Sequence, residues 1–264
     1  MIKLRTKAIE RDWVRQVRDS LLANGYHYQS AFCSDAADDP ERIVTAARLL
    51  GVVYTPADTD PNKPVVLTQP SSSAPKWRPF DRRPSIGWHN DFSTCSKRPR
   101  LSLSWIERGD PSGPIGGGAW RVASVKAVIE KLRETRDGNR LVADLTRGSE
   151  AFGYHDAGSW RPFRVIIRRG RESDQNGMRF YGRALKEGAM LRYKKIPERT
   201  SEIVARVEEA ADAVGEVLPA TNGALLIVDN RLSLHDRLEQ QVTGPRERRR
   251  RAWLCFVQSI HQPL

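Results

Sequence analysis

Residues 88–91 of this chain read Trp-His-Asn-Asp and place two metal-binding side chains two positions apart. In an extended segment alternate side chains point to the same side, so His89 and Asp91 share one face while Asn90 points away. An imidazole and a carboxylate then approach a common point. A divalent metal ion held there needs a third protein ligand from elsewhere in the chain.

The best candidate for that ligand is His235. An unbroken apolar run at 224–228 is typical of a buried strand, and His235 follows it after a short polar stretch. Two histidines and one carboxylate with open coordination positions form the facial triad of non-heme Fe(II) oxygenases, with Mn(II) and Zn(II) as competing metals. Taken singly, each histidine is more often an ordinary hydrogen-bonded residue, so the ordered set carries the prediction.

The order of these elements resembles a known family. It comprises His-x-Asp, a Gly-x-hydrophobic-Asp-Asn strand that leads to a distal histidine, and arginines that open a final strand about fifteen residues later. This arrangement is similar to the Fe(II)- and 2-oxoglutarate-dependent dioxygenases of the taurine dioxygenase and clavaminate synthase superfamily. The resemblance extends from about Gly25 to Val257. It implies that His89, Asp91 and His235 bind Fe(II) and are the catalytic residues.

The resemblance also implies a reaction. 2-Oxoglutarate and O2 would be consumed, with decarboxylation to succinate and oxidation of an unactivated C–H bond. Related halogenases have Gly or Ala at the carboxylate position, so Asp91 favours hydroxylation, with desaturation or cyclisation as alternatives. By analogy the substrate is a small polar metabolite, an amino acid or a natural-product intermediate. Its pocket is predicted to include Trp88, Phe92, Tyr154, His155 and Arg237.

An arginine run at 246–251 leads directly into the apolar segment 252–257. In the family that the chain resembles, an arginine at this point pairs with the distal carboxylate of 2-oxoglutarate, for which the guanidinium fork is well suited. Arg249 lies fourteen residues after His235, as in clavaminate synthase relatives, and Arg251 shares its face. We predict that Arg249 binds the cosubstrate, with Arg251 as the alternative. Relatives often add a Thr after a Gly-Gly pair, where this chain has Ala119 or Trp120.

Composition limits the class of protein. The 264 residues include 44 Lys and Arg against 32 Asp and Glu, a net charge of +12. Such an excess can attract nucleic acid, so a jelly-roll protein that has lost catalysis and binds nucleic acid is the rival hypothesis. No recognised nucleic-acid module accompanies the charge, and we expect no specific nucleic-acid partner. Three cysteines without a Cys-x-x-Cys pair, a charged N-terminus and no long apolar run predict a cytoplasmic protein without disulfides or membrane spans.

The elements that position the candidate site follow from periodicity. Helices are predicted at 7–23, from Pro40 to Leu50, after Ser124 and after Thr200. Strands are predicted at 52–54, 65–67, 101–106, 163–167 and 178–181, and residues 68–87 form a long loop before the His-x-Asp segment. The glycines at 116–118 indicate a turn rather than a phosphate-binding loop. This pattern suits a mostly β chain with flanking helices, a double-stranded β-helix of the cupin-like jelly-roll kind, in a single domain at 1–264. A helical part at about 1–50 would pack on a jelly-roll core at about 51–258.

Overall fold

The computed structural model describes residues 2–32, 40–56, 64–75, 78–95, 97–148, 153–156, 159–168 and 176–260, without the side chains of residues 2–9, 154–156 and 159. None of the helices in these ranges is both long and apolar enough to cross a membrane. The helices are α1 (Ile2–Asn24), α2 (Glu41–Leu50), α3 (Val125–Arg133), α4 (Arg136–Arg147), α5 (Gly182–Tyr193) and α6 (Glu198–Val214). The strands are β1 (Tyr26–Gln29), β2 (Gly51–Tyr54), β3 (Val65–Thr68), β4 (Leu101–Arg108), β5 (Trp120–Ser124), β6 (Gly153–Asp156), β7 (Ser159–Pro162), β8 (Ile166–Ile167), β9 (Gly177–Met178), β10 (Glu216–Leu218), β11 (Leu225–Asp229), β12 (Ser233–Arg237) and β13 (Arg251–Ile260).

The larger sheet has six antiparallel strands in the order β1-β11-β4-β13-β2, with β3 paired to β13 beside β2. Its strands are apolar on both faces, because each face is covered. One face packs against α1 and α2, where Val17, Leu21 and Ile43 meet Leu103 and Val257. The N-terminal helices therefore form an outer layer on this sheet.

The smaller sheet has three antiparallel strands in the order β10-β5-β12. Two isolated bridges extend it, one joining His235 to His89 and one joining His89 to Tyr181. Helices α3 to α6 cover its outer face, where Leu234 and Trp88 pack into a cluster that these helices dominate. The inner faces of the two sheets meet in a third apolar cluster, to which Ile106, Trp120, Val122, Leu226 and Ala252 belong. His235 thus lies on a strand packed from both sides, and His89 is bridged to it.

The structure corrects several details of the predicted fold. Helical residues outnumber strand residues in the described ranges, so the architecture is mixed α and β with antiparallel sheets rather than mostly β. Helices α4 and α5 and strands β1, β5, β6, β7, β10 and β12 were not predicted. Asp39, which precedes the helix predicted from Pro40 and was expected to cap it, lies outside the described residues. Ser124 makes no side-chain capping hydrogen bond, and Thr200 lies buried inside α6 instead of capping it.

A buried ion pair secures the strand that leads to the distal histidine. Arg100 donates to the fully buried carboxylate of Asp229 through Nε at 2.6 Å and Nη2 at 2.5 Å. Arg100→Met should lower the free energy of unfolding by about 3–5 kcal/mol, because it removes the guanidinium that pairs with a fully buried carboxylate. Urea denaturation measures this change. Arg183→Met, which breaks the exposed Arg183–Glu187 pair, should cost about 1 kcal/mol or less. Equal losses of unfolding free energy in the two variants would contradict a stabilising role for the buried Arg100–Asp229 pair.

Candidate metal centre and its cavity

The backbone brings His89 and His235 together. His235 lies in β12, and the two residues form an antiparallel hydrogen-bonded pair, with His89 N to His235 O at 3.0 Å and His235 N to His89 O at 2.9 Å. Their ring centroids are 4.3 Å apart. Residues 146 positions apart in the chain are therefore held in register by the same geometry that holds a sheet.

Asp91 completes the cluster. Its Oδ1 lies 3.5 Å from His89 Nε2, and its Oδ2 lies 3.4 Å from His235 Nε2. One donor atom from each of the three residues lies within 4.8 Å of the others. Both imidazoles therefore present Nε2 to the same carboxylate, as ligands to one shared ion would.

The position of Asp91 depends on a buried asparagine and an aromatic wedge. The side-chain oxygen of Asn230 accepts from Asp91 N at 3.1 Å. The next residue, Phe92, adopts φ 53°, a left-handed conformation that is costly for a residue with a large side chain. Its ring lies edge-on to Tyr54 at 5.6 Å and to Phe256 at 5.0 Å, and this packing offsets the backbone cost.

The three groups perturb one another. Burial raises the pKa of Asp91, but the two imidazoles outweigh it, above all His235, and hold that pKa well below its usual range. Burial opposes protonation of His89, yet the carboxylate of Asp91 raises the pKa of this imidazole overall. The pKa of His235 is lowered by burial and by the neighbouring His89. One carboxylate shared by two buried imidazoles favours a protonated His89, or a metal ion in place of the proton.

The residues fit a divalent metal ion. His89 Nδ1 lies 2.8 Å from the carbonyl oxygen of Gly87, which can only accept, so this nitrogen carries the proton and Nε2 is free to bind a metal. His235 Nδ1 is buried with no hydrogen-bond partner among the described residues. Two imidazoles and one carboxylate are the donor set of non-heme Fe(II) sites. His89, Asp91 and His235 would hold the ion.

A cavity of about 380 Å³ adjoins the three residues. Its walls come from the inner faces of both sheets and from the loop before His89, and they are mainly apolar. The size is that of a small-molecule site. Apolar lining residues include Phe80, Ile86, Val228, Leu254 and Phe256, and the polar ones include Thr68, Ser102, Ser104 and Tyr181.

Arg250 lines this cavity with a buried guanidinium. It is 3% exposed, and its Nε has no hydrogen-bond partner among the residues that the structure describes. Burial, together with the nearby Arg237, lowers its pKa to about 9, so the guanidinium remains charged at neutral pH. The carboxylates of Asp110 and Asp81 act on it only through space. A buried cation without a paired anion marks a place for an anionic ligand.

The two arginines that the sequence favoured lie elsewhere. Arg249 donates to the carbonyl oxygens of Gly244 and Pro70 and does not line the cavity. Arg251 pairs with Glu107 at 3.1 Å and stacks on Trp253, on the opposite side of β13. Of the three consecutive arginines, only Arg250 lines the cavity, because a one-residue change reverses the face of a strand.

Of the residues predicted for the substrate pocket, some line the cavity and others do not. Phe92 and Arg237 line the cavity. Trp88 does not: it alternates with His89, lies under the helices and donates from Nε1 to Asp212 at 2.8 Å. The side chains of Tyr154 and His155 lie outside the described residues, although their backbone forms part of β6.

Arg237 has a different role from the predicted contact with substrate. Its guanidinium donates to the carbonyl oxygens of the segment before His89, at 3.0 Å to Pro79, 2.9 Å to Arg82 and 2.8 Å to Pro84. Burial lowers its pKa to about 10. These bonds hold one wall of the cavity in place and occupy donors that a ligand would need.

Sequence reasoning missed Arg250, Tyr181 and Asn230. Arg250 has the same strand parity as Ala252, Leu254 and Phe256, which lie on the inner face, but the sequence alone does not show which face of this strand is the inner one. Asn230 belongs to the Asp-Asn pair that the sequence showed, but its contact with Asp91 is visible only in three dimensions. Nothing in the pattern around Tyr181 indicated that it would bridge to His89.

Comparison with known proteins gives fold similarity alone. No protein-family model matches the chain, and no curated protein matches it. Among solved structures, asparagine oxygenase in complex with Fe(II), 2S,3S-3-hydroxyasparagine and succinate superposes with a TM-score of 0.74 at 20% identity, covering 96% of this chain and 79% of that one. The non-heme iron oxygenase OrfP in complex with Fe and alpha-ketoglutaric acid gives 0.62 at 13%, covering 94% and 80%. The PvcB protein from Pseudomonas aeruginosa gives 0.64 at 16%, covering 92% and 79%.

Proposed function

We propose that this chain is an Fe(II)- and 2-oxoglutarate-dependent oxygenase that hydroxylates an unactivated C–H bond of a small polar metabolite. The observation that carries the proposal is the presence, in one cavity, of the His89-Asp91-His235 cluster and the unpaired cation of Arg250. A metal ligand set alone fits many functions. Combined with a buried site for an organic anion, it fits a metal enzyme with an acidic cosubstrate.

In this proposal the three ligands would hold Fe(II), which when bound would activate O2 as the oxidant of 2-oxoglutarate and of the substrate C–H bond. The balance is 2-oxoglutarate plus O2 plus R–H giving succinate, CO2 and R–OH. Arg250 pairs with the distal carboxylate of 2-oxoglutarate and orients its other end toward the metal. The apolar walls, among them Phe80, Leu254 and Phe256, limit water around the reacting groups.

The substrate class rests on the neighbours of similar fold. One of them is bound to a hydroxylated asparagine, and OrfP is bound in other structures to hydroxylated forms of arginine. We propose an amino acid or a related natural-product intermediate for this chain. Asp91 occupies the third ligand position, which favours hydroxylation over halogenation. Phe92 follows the metal ligand Asp91 and lines the cavity, so it would contact the substrate.

The two packed antiparallel sheets are proposed to be the halves of a double-stranded β-helix in a single domain. The similarity in fold to oxygenases over more than nine-tenths of the chain supports this assignment. In this account the basic excess serves solubility and anion binding, and no specific nucleic-acid partner is needed. Sequence-selective DNA or RNA binding that survives physiological salt would favour the rival function instead.

Gly118 provides a test of the cosubstrate site. It adopts φ +61°, and a Cβ added there would lie 2.6 Å from Arg250 Cδ. Gly118→Ala should displace Arg250 and weaken 2-oxoglutarate binding roughly tenfold, about 1.4 kcal/mol, without changing metal affinity. Gly113→Ala is the matched control: it has φ +103° but no atom within 4 Å of the added Cβ, so it carries the backbone strain without the collision. Equal effects of the two changes on 2-oxoglutarate affinity would contradict the role of Arg250.

The proposed function is tested by anaerobic addition of Fe(II) and then 2-oxoglutarate to the protein. The weak visible charge-transfer band that this class of oxygenase shows should develop, and it should saturate with 2-oxoglutarate. Succinate in place of 2-oxoglutarate, and Zn(II) in place of Fe(II), should give no band. A protein that binds Fe(II) but gives no band at saturating 2-oxoglutarate would refute the proposal.

A further inference from the structure

A buried carboxylate that is not a candidate ligand lies directly beside the metal centre. Asp236 follows His235 in β12 and is fully buried. It accepts hydrogen bonds from Ser85 Oγ at 2.7 Å, from the backbone N of Gly87 at 2.9 Å, and from Arg121 Nε and Nη2 at 3.2 and 2.8 Å. Its side chain is thus held from three directions.

Gly87 connects this carboxylate to a metal ligand. Its N–H is shared between Asp236 Oδ1 at 2.9 Å and Ser85 Oγ at 3.1 Å, while its carbonyl oxygen accepts from His89 Nδ1 at 2.8 Å. Gly87 has φ +86°, and nothing lies within 4 Å of the position a Cβ would occupy, so little other than its own hydrogen bonds holds this backbone. The orientation and tautomer of the His89 ring therefore depend on how Gly87 is held.

We propose that Asp236 is a positioning residue for His89, acting through Gly87 to keep Nδ1 protonated and Nε2 directed at the metal. The inference rests on the proposed function in that it takes His89 as a metal ligand. Partners behind a metal-binding histidine fix its ring and tautomer, and their loss commonly costs about 10–100-fold in metal affinity. Here the carboxylate reaches the imidazole through a backbone residue instead of contacting it directly.

Two carboxylates that bind the same guanidinium, that of Arg121, provide a variant and its matched control. This guanidinium bonds to Asp236 and also, through Nη1 at 2.6 Å, to Asp212, whose side chain is 52% exposed. Only Asp236 reaches Gly87. In Asp236→Asn one amide oxygen replaces two carboxylate oxygens, so the side chain cannot accept from both Gly87 and Arg121, and its NH2 group opposes another donor. Asp212→Asn makes the same chemical change at the other end of the same arginine.

The experiment titrates metal-free protein with Mn(II), a redox-stable substitute for Fe(II), by isothermal calorimetry. Asp236→Asn should raise the Mn(II) Kd about tenfold or more, and Asp212→Asn should stay within about twofold of wild type. Nitrogen NMR of the metal-free proteins, recorded above the raised pKa of His89 so that its ring is neutral, gives a second readout. The His89 ring should be protonated at Nδ1 in wild type and in Asp212→Asn, and mixed in tautomer in Asp236→Asn.

The outcomes separate the inference from the function on which it rests. If wild type fails to bind Mn(II), the metal site and the proposed function fail first. If wild type binds but Asp236→Asn binds equally well with an unchanged tautomer, or if both variants lose affinity equally, the positioning role is wrong. Should Asp236→Asn not fold, Ser85→Ala removes the hydrogen bond from Ser85 Oγ to Asp236 and the longer one that the same oxygen accepts from Gly87 N, while it keeps the carboxylate charge. It should raise the Kd by a smaller factor of about two to five with a parallel tautomer shift, and no change in either would overturn the inference.

Discussion

Arg250→Gln should raise the 2-oxoglutarate concentration needed for half-saturation on the order of a hundredfold while Fe(II) still binds. Arg250 is buried and its Nε has no hydrogen-bond partner among the described residues, so a bound carboxylate would gain a charge-assisted pair shielded from water. Truncating one partner of such a pair costs a few kcal/mol, and about 2.7 kcal/mol corresponds to a hundredfold change in affinity. Titration of the anaerobic Fe(II) protein with 2-oxoglutarate measures this constant.

The neighbouring arginines are the matched controls. Arg249→Gln and Arg251→Gln make the same chemical change one residue to either side, where the side chains bond to Gly244 and Glu107 instead of lining the cavity. Both variants should bind 2-oxoglutarate within about threefold of wild type. Neither side chain lines the cavity, so the loss of its charge should change the free energy of 2-oxoglutarate binding by less than about 1 kcal/mol. If Arg249→Gln loses 2-oxoglutarate affinity a hundredfold and Arg250→Gln does not, the assignment of Arg250 to the cosubstrate is wrong.

Asp91→Ala should have the largest effect on the metal. It removes the only anionic ligand, and the loss in affinity should exceed the roughly 10–100-fold typical of residues that merely support a ligand. Calorimetric titration with Mn(II) measures it. The two variants separate the halves of the site: Asp91→Ala loses metal, whereas Arg250→Gln retains metal and loses 2-oxoglutarate. Metal binding by Asp91→Ala with a wild-type Kd would refute the ligand set.

The metal cluster was predictable because it depends on local spacing and chain order. His89 and Asp91 lie two residues apart, and an apolar strand precedes His235; these features are visible in one dimension. The structure adds the bridge between His89 and His235 that closes the cluster. No spacing rule states that two strands so distant in sequence pair at these residues, because the pairing is set by packing of the two sheets.

Arg250, the arginine that we propose for the cosubstrate, was missed for a physical reason. Strand β13 is apolar on both faces, since Leu254 and Phe256 face the cavity while Cys255 and Val257 pack under the N-terminal helices. When both faces are buried, alternation does not reveal which face is the inner one. Trp88 was misplaced for a different reason, because the alternation with His89 was not applied to it. Its neighbour His89 was correctly assigned to the inner face, and strict alternation from His89 would have placed Trp88 on the outer one.

The most direct test of the account follows the fate of oxygen atoms. Wild-type protein is incubated with Fe(II), 2-oxoglutarate and 18O2 in unlabelled water, with catalase to remove peroxide, and the succinate is analysed by mass spectrometry. The account predicts succinate carrying one 18O atom, formed slowly even before the metabolite is known and faster when an accepted amino acid is supplied. Asp91→Ala should form none above the protein-free background. Succinate without 18O, or labelled succinate formed equally by wild type and Asp91→Ala, would contradict the assignment of this site as a 2-oxoglutarate-dependent oxygenase.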